Sequence, residues 1–217
     1  MQAIFEEAFK FALKDRSWIL KIVIGGVLGL IPIVNLIFLV GYSLAVLKDS
    51  VDNKPAVLPE WSAWMDIGKS GLYGLLVLLV YGIPLLLLGA LSTAPAVGKL
   101  FYVLFVLVNL ATVPLFSVAL IQWYKSGELK GAFDFKTVWG VFAKDMQNYV
   151  IATLVLAILP LIVSLILQYA GYGIFRLRSP VLFFPGAFIQ LILGCLWFWL
   201  SIVGARVFGQ IYSTAQK

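Results

Sequence analysis

The sequence predicts an all-α membrane protein: a polytopic helical bundle of four full spans, a broken or hairpin segment at 18–47, and amphipathic interfacial helices. Three observations carry this. Hydrophobic residues make up 62% of the 217, far beyond what a soluble domain of that size can bury. Residues 71–92, 100–123, 149–167 and 183–202 are apolar runs close to or above the about 20 residues that cross a bilayer as helix. The polar stretches between them are too short to form a core of their own, so residues 1–217 read as a single membrane domain.

Residues 3–15 set Ile4, Phe5, Ala8, Phe9, Ala12 and Leu13 at helical spacing, with Glu6, Glu7, Lys10, Lys14 and Asp15 on the other side. That pattern fits a helix lying in the interface plane. Glu6 and Glu7 stand where the basic region of a cleavable signal belongs, so the segment is expected to stay on the chain.

Residues 18–47 would make a straight helix about 45 Å long, against a hydrocarbon core of about 30 Å. Their middle carries Gly25, Gly26, Gly29, Pro32 and Asn35. Pro32 cannot donate a backbone hydrogen bond, so it kinks or breaks the helix there. The segment is either one tilted, kinked crossing or a hairpin turning around Pro32 and Asn35. A single crossing divides the sixteen basic residues seven and nine between the two faces. A hairpin puts thirteen on one face and leaves only Lys99, Arg176 and Arg178 on the other. The second split is what the positive-inside rule leads one to expect, and it makes both termini cytoplasmic.

After a polar loop, Leu58-Pro59-Glu60-Trp61 opens a helix with proline and a carboxylate in its first turn. Trp61, Trp64, Ile67 and Leu72 follow along one side, which predicts a second flat helix over residues 58–70. Phe135, Val138, Trp139, Phe142 and Met146 repeat the design over 133–144, and Trp61, Trp64 and Trp139 are the expected interfacial anchors. A weak internal repeat, 32–84 against 114–160, aligns Pro32 and Tyr42 with Pro114 and Tyr124. It also aligns Tyr73 and Pro84 with Tyr149 and Pro160.

The run Gly25-Gly26, Ile31-Pro32, Asn35, Gly41-Tyr42, Leu58-Pro59-Glu60-Trp61, Trp64 and Gly71, continuing through Tyr81 and Pro84, resembles a known signature. It is similar to the prokaryotic membrane-protein family called domain of unknown function 4013, and returns weakly at Gly204, Gly209, Gln210 and Tyr212. The resemblance implies a multi-span protein of a bacterial or archaeal cytoplasmic membrane. It implies no activity.

Composition excludes much of catalysis. There is no histidine, hence no Ser-His dyad and none of the commonest metal ligand, and Cys195 stands alone. No Asp or Glu falls inside an apolar run, and no nucleotide-binding glycine loop is present. We therefore expect no enzyme and no cofactor. The net charge of +6 is scattered along membrane edges, which points to anionic lipid and not to nucleic acid. Small residues recur at Ser201, Ala205 and Gly209, and again at Gly25 and Gly29, as they do where helices approach closely.

The function expected is contact within the membrane, as an accessory subunit, a scaffold or a lipid-organising protein. Its partners would be membrane lipids and a membrane protein or a second copy of the chain. The alternative is a passive channel or permease for a small solute or anion, with Asn35 at the helix break. A continuous polar track would favour transport, and a broad apolar groove would favour contact.

Overall fold

A computed structural model describes the backbone of residues 1–55, 57–176 and 183–216, and their side chains except at 159–160, 163–164, 166–176 and 183–187. The expectations placed on Pro160, Arg176 and Arg178 rest on side chains outside the described residues. The described residues form eight α-helices and no strand. These are α1 (Gln2–Phe11), α2 (Trp18–Leu28), α3 (Val34–Val51), α4 (Trp64–Leu91), α5 (Gly98–Ser126), α6 (Phe135–Lys144), α7 (Met146–Arg176) and α8 (Phe183–Ala215).

The broken segment is a hairpin. Gly25 of α2 packs on Phe198 of α8 and Gly29 on Gly194, so α2 runs antiparallel to α8. Ser43 of α3 bonds Ser201, and Ser50 packs on Gly209, so α3 runs parallel to α8. Two helices with opposite senses along the same third helix must be folded back on each other. The turn is tight: the Val34 N–H donates to Pro32 O, and Ile33 has φ 71°, ψ −54°, a γ-turn of the strained hand. The hairpin is uneven. The 18 residues of α3 are long enough to cross a membrane, whereas the 11 of α2 reach only about 16 Å.

Trp61–Leu91, Gly98–Ser126 and Phe188–Ala215 are also long and apolar enough to cross. The 31 residues of α7 follow α6 at a bend of 86°, so α6 lies across the bundle axis. Asp134 starts α6 as an N-cap, accepting from the Thr137 N–H at 3.1 Å, and left-handed Gly127 ends α5.

The flat helix expected at 58–70 is not there. Residues 61–63 make one 3₁₀ turn, and α4 then runs unbroken from Trp64 to Leu91. Gly41 and Gly71 explain this. A Cβ on Gly71 would run into the Ile37 carbonyl oxygen, and one on Gly41 into that of Ile67. The start of α4 is thereby pressed against α3 and cannot lie away from it on a membrane surface.

The core gathers toward the termini. Leu44, Leu47, Val118, Ile121, Tyr149, Val207 and Ile211 are all buried there. At the other end α4, α5 and α7 present an outward belt of exposed Leu, Val and Ile, including Leu79, Leu86, Leu100, Leu107, Ile158 and Leu161. Such a belt suits hydrocarbon surroundings.

Candidate functional site

A cleft of about 620 Å³ is bounded by the α2–α3 turn, α3, α5, α7 and α8. Leu47, Leu120 and Phe208, each 4% exposed or less, close it toward the termini. Its other end opens beside Leu30, Val113, Gln190 and Trp197, all well exposed. The described walls are mainly apolar, with five polar side chains among them.

Three of those five are already engaged. Ser43 donates to Ser201 at 3.2 Å, Ser201 donates to Phe198 O at 2.7 Å, and Ser117 donates to Val113 O at 3.1 Å. Asn35 and Gln190, toward the open end, have no hydrogen-bond partner among the described residues. The cleft therefore offers two free amides near its mouth and an apolar interior that stops short of the terminus face.

Gly29, Asn35, Ser201 and Ala205 all line this cleft, so the structure brings together residues drawn from both ends of the sequence. Pro32 sits in the turn beside it. The small-residue ladder on α8 is spent within the chain: Ser201 meets Ser43, and Gly209 packs against Ser50 and Leu47 O. Gly25 is covered by the Phe198 ring in the same way. Ser201, Gly209 and Gly25 thus make close intramolecular crossings.

The tryptophans divide. Trp64 and Trp139 are 41% and 55% exposed. Trp61 is 5% exposed, wedged between Tyr42 and Phe198, and its Nε1–H donates to the Lys21 carbonyl at 3.0 Å. Trp61 is thus a core residue, unavailable to lipid.

Two charged clusters went unseen in the sequence. Lys21 Nζ donates to Asp15 Oδ2 at 2.9 Å and to Leu58 O at 2.9 Å, and it also bonds Glu60. Burial alone pushes the Asp15 carboxyl up. Hydrogen bonds from Lys21, from the Ser17 hydroxyl and N–H and from the Leu58 N–H outweigh it and hold the group at about 2. Near the C-terminus, Arg206 grips Glu7 through Nε at 3.2 Å and Nη2 at 3.0 Å, stacks over Phe11, and leaves Gln210 to complete the Glu7 contacts. Both clusters are clamps: one ties α2 to the segment entering α4, the other ties α1 to α8. Among the described residues, no group of three potential metal ligands comes together.

The family described as "Protein of unknown function (DUF4013)" matches residues 24–171. The chain belongs to that family. No curated protein and no solved structure matches it. The DUF4013 region contains the hairpin from Ile24 onward, the Gly41–Gly71 crossing and the α5 wall of the cleft. The α8 wall, with Gln190 and Ser201, lies outside it.

Proposed function

We propose that this DUF4013 protein works without catalysis, by contact inside the membrane, as an accessory subunit, scaffold or lipid-organising protein. The observation that carries the reading is the cleft. It is apolar, opens at one end, and is closed toward the termini by Leu47, Leu120 and Phe208. Passive conduction of a small solute or anion needs a polar path to both faces, and this floor opposes it. The buried charges support the same reading, because Lys21 and Arg206 are each bound to carboxylates of the chain. Neither is free to carry a substrate or ion.

The cellular setting proposed is a prokaryotic cytoplasmic membrane with both termini inside. It is supported by the thirteen basic residues that the hairpin assigns to the terminus face, against Lys99, Arg176 and Arg178. Lipids are the first partners, with a membrane protein or a second copy as further ones.

The test is flux. Full-length protein in proteoliposomes is assayed for potassium, chloride and glycerol entry, beside Asn35→Leu. Flux no greater than in protein-free vesicles is expected. Reproducible flux that Asn35→Leu abolishes would overturn the contact reading.

A further inference from the structure

We propose that the cleft binds one extended acyl chain of a membrane glycerolipid, with an ester carbonyl held by the Asn35 and Gln190 amides. This rests on the contact reading and gives it a ligand. The argument begins with shape. From Gln190 to Phe208 the cleft follows α8 for about 27 Å at 1.5 Å per residue. A volume of about 620 Å³ drawn out over that length is a slot. A partner helix, about 10–12 Å across with its side chains, would need on the order of 2,000 Å³ over the same distance. A single hydrocarbon chain lies within such a slot along its length, whereas a whole helix would stand largely outside it.

Chemistry narrows the occupant further. The floor and most of the walls are Leu, Val and Phe, and burying methylenes against them is favourable. The serines deeper in the slot are already bonded to the chain, so they make no demand on a ligand. Among the described polar side chains of the lining only Asn35 and Gln190 are unengaged, and both lie toward the open end. Amide NH₂ groups donate to a neutral ester carbonyl. Among the described residues no Lys or Arg lines the slot, so that lining has no counter-charge for a phosphate or a free carboxylate. A lipid whose charged head stays outside, with its ester at the mouth and its chain inside, satisfies every one of these groups. The exposed apolar belt around the bundle supplies the route, because the medium reaching a mouth beside Leu30 and Val113 is lipid itself.

The experiment uses the full chain in phosphatidylcholine vesicles containing a phosphatidylcholine with a photoreactive diazirine in one acyl chain. After illumination, cross-linked residues are mapped by mass spectrometry. Cross-links are expected at Leu39, Phe116 and Leu200 inside the cleft, as well as along the outer belt. Gly204→Leu fills the slot, since a Cβ there meets only Leu156, at 3.6 Å. It should lower the cleft cross-links at least fivefold and leave those of the belt alone. Gly82→Leu, whose Cβ has nothing within 4 Å, should change neither. Ser117→Leu fills the slot from the opposite wall and should reproduce the loss, which guards against misfolding of one variant. Asn35→Leu with Gln190→Leu should lower cleft labelling severalfold while the slot stays open. Labelling confined to the belt, or cleft labelling that survives both filling variants, overturns the inference and leaves the contact reading standing. Flux blocked by Gly204→Leu would overturn both.

Discussion

Asp15 is the residue on which the α2 clamp turns. Its carboxylate accepts from Lys21, from the Ser17 hydroxyl and N–H at 2.7 Å each, and from the Leu58 N–H at 3.1 Å. These bonds hold its pKa at about 2, below the ordinary 3.8. A carboxyl whose folded pKa is depressed contributes stability that is fully present above its unfolded value and is lost as pH falls through the folded one. At about 1.4 kcal/mol per pKa unit the contribution is about 2 kcal/mol, disappearing between about pH 4 and pH 2. Thermal unfolding in detergent should accordingly show a fall in Tm across that window beyond the fall seen for Asp15→Asn. The variant should also be the less stable protein at pH 7, because buried Lys21 would keep only the largely exposed Glu60 as a charged partner. Parallel curves for the two proteins from pH 5 to 2 would show that the clamp contributes nothing. None of this cluster was legible beforehand. Lys21 and Glu60 are 39 positions apart, Glu7 and Arg206 are 199 apart, and periodicity does not report on such pairs.

At the scale of elements, the spans were legible because an apolar run of bilayer length has few other fates. The hairpin was legible as one of two outcomes, from Pro32 and the charge asymmetry. The start of α4 was misread because Trp61, Trp64, Ile67 and Leu72 have the same spacing whether lipid or protein covers them. What decides is the α3–α4 crossing, where two glycines face backbone carbonyls and the helices are nearly in backbone contact. Gly71→Leu must part them, at a cost of about 3 kcal/mol or more. Gly82→Leu, on the same helix with open space around it, should be neutral or slightly stabilising, since leucine has the better helix propensity. Denaturation in mixed micelles followed by tryptophan fluorescence separates the two variants. Equal stability would mean that the crossing is looser than described. The ladder of Ser201, Ala205 and Gly209 was legible as close packing, but its direction was not. Only the partner helix α3 shows that it faces inward.

For the whole molecule, the hairpin decides the order of every later span. Because α3 returns toward the side on which α1 begins, the connection between α3 and α4 lies with the termini, and the α4–α5 turn lies opposite. The contacts agree at each point along that face. Glu7 meets Arg206, Asn53 meets Ser213, and Asp52 meets both Tyr124 and Lys125. Residues from the N-terminal helix, the α3–α4 connection, the end of α5 and the C-terminal helix are therefore at one level. A membrane must then see Ser17 and Asp49 from the same side, and Thr93, in the turn after α4, from the other. Single cysteines at these positions, in a Cys195→Ser background, are treated in intact cells with an impermeant maleimide. Thr93→Cys should be labelled, and Ser17→Cys and Asp49→Cys should be labelled only after the cells are opened. If Ser17→Cys and Asp49→Cys respond oppositely, α2 and α3 cross as one span and the fold-back fails. If all three responses invert together, the fold-back stands but the basic face is external, and the cytoplasmic placement of the termini falls. The outcome also assigns the cleft a leaflet, because its mouth opens away from the termini and its acyl chain must come from the layer on that side.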